Sequence, residues 1–189
     1  MTISGKKLDK YFSFFLIGLV LVGIGAYLGR EKIHDFLLPE GAKTYTSEAG
    51  RYSLTTLRGW SFDASRVRYP VDTVFHDSQN ALIFIDVYDD PALMSDDGRF
   101  FLKQQIEKNF RENPKYSLES LDEEKWKGRQ ALVIRGTRKD GQTTWNFFQY
   151  VVFSNETPRT YNITASVKSD APEELKDNAL DMIDSFRFR

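Results

Sequence analysis

Residues 129–153 decide the fold, and they read RQALVIRGTRKDGQTTWNFFQYVVF. Two runs of β-forming residues flank Lys139-Asp140-Gly141, and an Asp-Gly pair between such runs is typical of a β-hairpin. The apolar residues of the second run, 142–153, fall on both faces of a strand: Trp145, Phe147, Val151 and Phe153 on one face, and Phe148, Tyr150 and Val152 on the other. We therefore expect this strand to lie centrally, in a sheet that is covered on both sides.

Other elements lie on both sides of this hairpin. The patterns predict strands at residues 51–57, 74–76, 81–88, 116–125 and 159–167, with the polar run 116–125 at an edge. A helix is expected at 97–113, because Ser95-Asp96-Asp97 is typical of a helix start and Pro114 ends it. A last helix is expected after Pro172. Its apolar stripe is Leu175, Ala179, Met182, Ile183 and Phe186, and in the strand at 159–167 the alternating Tyr161, Ile163, Ala165 and Val167 are expected to face the core. This order predicts an α+β domain at 51–189, with an antiparallel sheet of about six strands flanked by helices.

A different kind of segment precedes this domain. Tyr11–Gly29, YFSFFLIGLVLVGIGAYLG, carries no charge, and Lys10 and Arg30 bound it. As a helix it would measure about 28 Å, close to the roughly 30 Å of a bilayer's hydrocarbon core. A cleaved signal peptide is the alternative, but the run exceeds a usual signal core and no clear small-x-small cleavage site follows it. The chain has no cysteine, which excludes a lipoprotein anchor. We expect an uncleaved transmembrane helix.

The charges that flank the span predict its orientation. The N-terminal flank carries Lys6, Lys7 and Lys10, whereas the other flank carries Arg30 and Lys32. The positive-inside rule therefore favours a cytoplasmic N-terminus. We expect a single-pass protein of the inner membrane with a cytoplasmic head at 1–10, a transmembrane helix at 11–29, a juxtamembrane segment and linker at 30–50, and a periplasmic domain at 51–189.

Small residues within the span indicate how it could pack. Gly25 and Gly29 form a GxxxG pattern, and Gly18 lies two turns earlier. Small residues let helix backbones approach closely in lipid, although glycine is also common in transmembrane helices in general. We expect these three glycines to form a helix-packing face towards integral membrane subunits of a larger complex.

Composition and motifs exclude several classes of function. The net charge is −1, from 26 basic and 27 acidic residues, so nothing indicates nucleic-acid binding. Without cysteine there are no thiol nucleophiles or thiolate metal sites. The sequence has no GxSxG, SxxK or phosphate-binding glycine loop, and its two histidines, His34 and His76, are not placed to form an acid–base pair. We expect no enzymatic activity and no cofactor.

Two groups of residues remain as candidate sites. Five aspartates near one strand-to-helix loop could offer oxygen ligands to a hard cation: Asp86, Asp89, Asp90, Asp96 and Asp97. Their spacing is not that of an EF-hand, and a helix start already explains the last two, so we expect no metal site. Trp60 and Trp126 are predicted to lie at turns, where part-exposed indoles often mark surfaces that dock partners.

Several local patterns resemble the PsbP family and its DcrB-like relatives. They are Tyr52-Ser53-Leu54-Thr55 before Gly59-Trp60, the hairpin at 131–153, Arg159-Thr160-Tyr161-Asn162-Ile163-Thr164, and the closing Met182-Ile183-Asp184-Ser185-Phe186-Arg187. The resemblance covers residues 51–189. It implies an antiparallel sheet of about six strands between helices, and binding or assembly work around membrane complexes. The predicted span of this chain departs from the usual members.

Two functions therefore remain open at this point. The first is a non-enzymatic accessory subunit of a membrane complex, photosynthetic or respiratory by the resemblance, whose span packs on partner helices and whose domain caps the outer face. The second is a membrane-tethered module that binds a small ligand, a lipid or a client protein in a pocket beside the sheet. An apolar cavity of several hundred Å³ with a few polar groups would favour the second.

Overall fold

The computed structural model describes residues 40–63, 71–77, 80–154 and 156–189. Thr44–Arg189 form one compact unit; of the other unit, Met1–Lys43, only residues 40–43 are described. The head at 1–10 and the predicted span at 11–29 lie outside the described residues, as do its three glycines, Gly18, Gly25 and Gly29. In the part of the chain that the structure describes, no helix has the length and apolar character needed to cross a bilayer.

The described ranges contain ten strands, two α-helices and a short 3-10 helix. The strands are β1 Lys43–Ser47, β2 Tyr52–Thr56, β3 Ser61–Phe62, β4 Val71–Asp77, β5 Ala81–Asp89, β6 Tyr116–Trp126, β7 Arg129–Asp140, β8 Thr143–Phe153, β9 Arg159–Lys168 and β10 Arg187–Phe188. The helices are the 3-10 helix Pro91–Met94, α1 Asp96–Glu112 and α2 Glu173–Asp184.

Seven of the described strands form one antiparallel sheet, which we call the main sheet, in the order β3-β4-β5-β9-β8-β7-β6. The hairpin is confirmed, since β7 and β8 pair from Ala131 opposite Val152 to Asp140 opposite Thr143. The polar strand β6 is at the edge, as predicted. Helix α1 also begins where its sequence indicates, because the Ser95 hydroxyl accepts a hydrogen bond from the Gly98 amide at 3.0 Å.

The remaining three strands form a small sheet in the order β1-β2-β10. Within the range 30–50, predicted as a juxtamembrane segment and linker, Lys43–Ser47 form β1 instead. The strand predicted at 51–57 exists as β2, but it pairs with the C-terminal β10 instead of the main sheet, with Tyr52 opposite Phe188. β3 and β10 have two residues each, which is too short for a periodicity, so the sequence did not predict them.

Helix α2 covers one face of the main sheet. Its buried residues are Ala179, Met182 and Ile183, which lie on the predicted apolar stripe. They pack against the side of β9 formed by Tyr161, Ile163, Ala165 and Val167 and against Ile83 and Ile85 of β5. Each of these β9 residues is buried, as the strict alternation of the strand predicts.

Phe186, directly after α2, joins the small sheet to this core. Its side chain is 0% exposed. Its ring stacks on Tyr52 with centroids 5.0 Å apart, and it meets Tyr161 edge-on at 5.8 Å and Trp126 at 5.8 Å. Aromatic rings of this size carry a large part of the apolar area of a core. Phe186 therefore fixes β2, β6 and β9 relative to α2.

Helix α1 covers part of the opposite face of the main sheet. Its residues Leu102, Ile106 and Phe110 pack against a cluster from β7 and β8 that includes Leu132, Ile134, Phe147 and Val151. Of the two described α-helices, only α1 lies on this face, and its contacts to strands are mainly with β6. The part of this face formed by β9 and β5 is therefore beyond the reach of the apolar stripe of α1.

We predict that Phe186→Ala destabilises the domain by about 3–5 kcal/mol, because it removes a fully buried ring that contacts four other aromatic side chains. Urea denaturation of the full chain, followed by tryptophan fluorescence, measures this change. Phe101→Ala is the matched control. Phe101 is 61% exposed, so its loss should change the free energy of unfolding by less than about 0.5 kcal/mol. Equal effects of the two substitutions would contradict the role given to Phe186.

Candidate functional site

Trp60 and Trp126 are buried, with only 8% and 9% of their surface exposed. Trp126 lies against Tyr150 with ring centroids 5.0 Å apart and against Phe186, and Trp60 belongs to the same core cluster. These two indoles are therefore not of the part-exposed kind that often marks a docking surface. Trp60 follows a turn and Trp126 precedes one, and Phe186 and Phe188 at the C-terminal return of the chain pack on Trp126. The structure gives no support to partner docking through either side chain.

Two of the five candidate aspartates already have protein partners at the end of β5. The Asp86 carboxylate accepts a hydrogen bond from the Asn162 side-chain amide at 2.9 Å. The Asp89 carboxylate forms an ion pair with Arg159 at 2.9 Å, and the arginine lowers the pKa of Asp89. The side chains of Asp86 and Asp89 thus both join β5 to β9, at two separate positions of that pair.

The other three candidate aspartates serve helix starts. Asp90 accepts a hydrogen bond from the Ala92 amide at 3.0 Å and caps the 3-10 helix. Asp96 forms an ion pair with Arg99, and Asp97 lies in the first turn of α1, where a negative charge is favourable. Among the described residues, no group of three or more histidine, aspartate or glutamate side chains is placed to hold a metal ion.

A groove lies where α1 leaves the second face of the main sheet. Its volume is about 760 Å³. The floor comes from β5, β8 and β9, and one wall comes from the last turn of α1 and the residues that follow it. The described residues that line it are Phe84, Asn109, Phe110, Glu112, Asn113, Pro114, Tyr116, Arg138, Phe147, Gln149, Asn162, Thr164 and Ser166. We call this feature the sheet groove.

A chain of polar side chains crosses the floor of the sheet groove. Gln149 of β8 donates through Nε2 to Oδ1 of Asn162 on β9 at 2.6 Å. Asn162 in turn donates through Nδ2 to Oδ2 of Asp86 on β5 at 2.9 Å. Thr164 donates more weakly to the same Asn162 oxygen at 3.5 Å. Strand register fixes this row, because Asn162 lies directly opposite Asp86 and Gln149 opposite Thr164.

Aromatic side chains form the wall of the sheet groove next to α1. Phe110 stacks on Phe147 with ring centroids 5.4 Å apart, and Tyr116 meets Phe110 edge-on at 5.3 Å. Gly136 of β7 makes this packing possible. A Cβ atom at that position would lie 2.9 Å from Cζ of Phe147 and 2.3 Å from the Ser117 carbonyl oxygen. The wall therefore depends on a glycine in the middle of a strand.

Two charged side chains near the groove have a buried atom without a partner. Oδ1 of Asp86 and Nε of Arg138 are both buried, and neither forms a hydrogen bond with any described residue. Burial raises the pKa of Asp86, and the hydrogen bond from Asn162 opposes that rise in part. Next to it, burial and the carboxylates of Asp86 and Asp90 raise the pKa of Tyr88 to about 12. Burial of these polar groups at the end of β5 thus costs free energy, and such groups are common at binding sites.

Sequence analysis did not identify the sheet groove. It assigned the apolar side of β9 to the core and gave no role to the other side, although Thr160, Thr164 and Ser166 are buried. One signal was available. β8 is apolar on both faces and is expected to be covered on both sides. Its neighbour β9 should then also be covered on both sides, so the polar residues of β9 indicate a polar surface within the domain.

The fold of the domain is shared with solved structures of low sequence identity. The chain is similar to cyanobacterial PsbP (CyanoP) from Synechocystis, with a TM-score of 0.60, 13% identity, and coverage of 81% of this chain and 95% of that one. It is also similar to LpqN, described as involved in cell envelope biogenesis of Mycobacterium tuberculosis, with a TM-score of 0.54, 14% identity, and coverage of 82% and 95%.

The chain is also similar to a protein of Bacteroides thetaiotaomicron, with a TM-score of 0.50 and 13% identity. The match covers 78% of this chain and 48% of that protein. No family model matches the chain, and no curated protein has a significant sequence match to it. The domain therefore has a PsbP-like α+β fold, and the resemblance found in the sequence is confirmed at the level of the fold.

We predict opposite pH effects for two aspartate substitutions. A raised pKa means that Asp86 favours folding most when it is protonated, and that this contribution is lost as the pH rises through its folded-state pKa. Asp86→Asn should therefore raise the melting temperature at pH 7, and the gain should shrink as the pH falls towards the ordinary carboxyl pKa of 3.8.

Asp89→Asn is the matched control for this experiment. The pKa of Asp89 is lowered, so its contribution to stability is present above the ordinary carboxyl pKa and is lost as the pH falls. This substitution should lower the melting temperature slightly at pH 7 and have no effect near pH 3. A lower melting temperature for Asp86→Asn at pH 7 would contradict the view that the buried carboxylate is unfavourable.

Proposed function

We propose that the chain is a membrane-tethered binding module without enzymatic activity, and that it holds its ligand in the sheet groove. The observation that carries this proposal is the groove itself, with a volume of about 760 Å³, aromatic rings at its sides and hydrogen-bonding side chains on its floor. Binding sites for small molecules typically combine this volume with apolar walls and a few convergent polar groups.

The chemistry of the groove supports binding more than catalysis. Its described lining consists of amides, hydroxyls and aromatic rings, together with one guanidinium, Arg138, and one carboxylate, Glu112. Acid–base or nucleophilic catalysis needs a nucleophile next to a base, or two titratable groups with separated pKa values. The polar row instead runs from the Gln149 amide through the Asn162 amide to the Asp86 carboxylate, and the two amides hold fixed hydrogen-bond directions.

The tether is the predicted transmembrane helix at 11–29. Thirteen residues, 30–42, separate it from β1, and a chain of that length spans at most about 45 Å when fully extended. The lysine bias around the span supports an inner-membrane protein whose N-terminus is cytoplasmic and whose domain is periplasmic.

A second candidate is an accessory subunit of a membrane complex, photosynthetic or respiratory in kind. Phe100 and Phe101 of α1 support it, because both are 61% exposed and lie next to each other on the outer surface of the domain. Adjacent exposed aromatic side chains often mark a protein contact. In this arrangement, Gly18, Gly25 and Gly29 would pack the span against partner helices.

We predict that Asn109→Trp abolishes ligand binding, because Asn109 is exposed on α1 and lines the groove, where an indole would fill the space. Gln104→Trp is the matched control on the outer side of the same helix. The measurement is native mass spectrometry of the tagged full chain, purified from the membranes of its source in lipid nanodiscs. Wild type and Gln104→Trp should carry a non-protein mass that Asn109→Trp has lost.

Wild-type chain without any additional mass would contradict the binding proposal, as would a mass that all three proteins retain. The same preparation tests the second candidate. Membrane subunits that co-purify with wild type but not with the Gly25→Leu, Gly29→Leu double variant would support the accessory role. Recovery of the chain alone from both would exclude it.

A further inference from the structure

The floor of the sheet groove consists of side chains that both donate and accept hydrogen bonds. Asn162, Thr164 and Ser166 alternate along β9, so all three point to the same face, and Gln149 of β8 lies beside them. Strand geometry places the first and last of the three roughly 14 Å apart. A ligand lying along β9 would meet a hydrogen-bonding group about every 7 Å.

The orientation of the two amides leaves one hydrogen-bond acceptor for a ligand. The carboxylate of Asp86 can only accept when it is ionised, so Asn162 must turn its NH₂ group towards it and its oxygen towards Gln149. Gln149 then uses its NH₂ group on Asn162. Its carbonyl oxygen, Oε1, accepts no hydrogen bond from any described residue, so it can accept one from a ligand hydroxyl.

Phe84 of β5 supplies an apolar surface on the side of the groove away from α1. It lies directly opposite Thr164 in the strand pairing and is half-buried. It belongs to neither core cluster, and its ring makes no aromatic contact within the described part of the chain. Large aromatic side chains usually join a core. Because the Phe84 ring lines the groove and does not join either core cluster, its face can stack on a ligand.

Two other ligand classes fit these features less well. An extended peptide is usually held by the unpaired backbone groups of an edge strand, but β9 and β8 lie within the sheet and are paired on both sides. A fatty acyl chain needs an apolar surface all round, whereas Thr164, Asn162 and Gln149 form the floor. The charged side chains around the floor are of both signs, Asp86 and Glu112 against Arg138, so they do not form a site that selects an ion of one sign.

We propose that the sheet groove binds a neutral oligosaccharide, with one sugar ring stacked on Phe84 and its hydroxyls on Gln149, Asn162 and Thr164. A sugar hydroxyl donates and accepts at once, as do the amides and hydroxyls of the floor, and the C–H face of a sugar ring is apolar. This inference rests on the proposed binding function and specifies the ligand class of that same site.

The test uses the full chain in lipid nanodiscs, prepared without sugar-headed detergents because these would compete for the groove. The probes are maltotriose and triacetylchitotriose, with trialanine and laurate as non-sugar probes. Titration calorimetry should give a Kd of about 1 mM or tighter for at least one trisaccharide. The side-chain amide NMR signals of Gln149 and Asn162 should shift at the same time.

Phe84→Ala should weaken trisaccharide binding about tenfold or more, since the stacking surface is lost. Phe84→Leu, which keeps apolar bulk but lacks the ring, should have a similar effect and guards against misfolding of the alanine variant. Phe101→Ala, at an exposed ring outside the groove, should bind as wild type does.

Shifts caused by laurate or trialanine but not by either trisaccharide would overturn the saccharide inference and leave the binding module standing. Absence of binding by all four probes would also overturn it. In that case the mass carried by the chain from its own membranes still decides the binding function separately. Trisaccharide binding that Phe84→Leu leaves unchanged would show that the stacking surface is wrongly assigned.

Discussion

The second face of the main sheet has to be covered by a helix that is narrower than the sheet. Seven of the described strands form this sheet, and of the two described α-helices only α1 packs on this face. Leu102, Ile106 and Phe110 cover the apolar residues of β7 and β8. An apolar surface on the strands beyond α1 would be exposed to water, which costs free energy. The side chains that β9 presents there therefore decide the character of the site.

The two faces of β9 differ in character, one apolar and the other polar. Tyr161, Ile163, Ala165 and Val167 complete the core under α2, whereas the alternate positions carry hydroxyls and an amide. Asn162 and Thr164 are hydrogen-bonded to each other, and Asn162 also to Gln149 of β8 and Asp86 of β5, whereas the buried Thr160 hydroxyl forms no hydrogen bond with any described residue. The result is a rigid polar floor next to an aromatic wall, and that combination makes the groove suitable for binding.

Features that depend on neighbouring residues could be predicted from the sequence. The Asp140-Gly141 turn, the cap at Ser95 and the alternation of β9 each involve contacts within a few residues, and the structure has all three. Features that depend on distant residues could not. Trp126 is buried because Phe186, sixty positions later, returns to cover it. Asp86 and Asn162 are 76 positions apart, and only the pairing of β5 with β9 joins them. From the sequence alone, the polar face of a strand that lines a groove cannot be told apart from a strand face that is exposed to solvent.

The measurement that tests this account most directly is an experimental structure of the full chain, purified from its own membranes into nanodiscs without sugar-headed detergent. The account predicts density for a bound molecule in the sheet groove, in contact with Phe84 and with Oε1 of Gln149. A structure in which the chain's own side chains fill the groove, or in which α1 has shifted to cover Asn162 and Thr164, would contradict it.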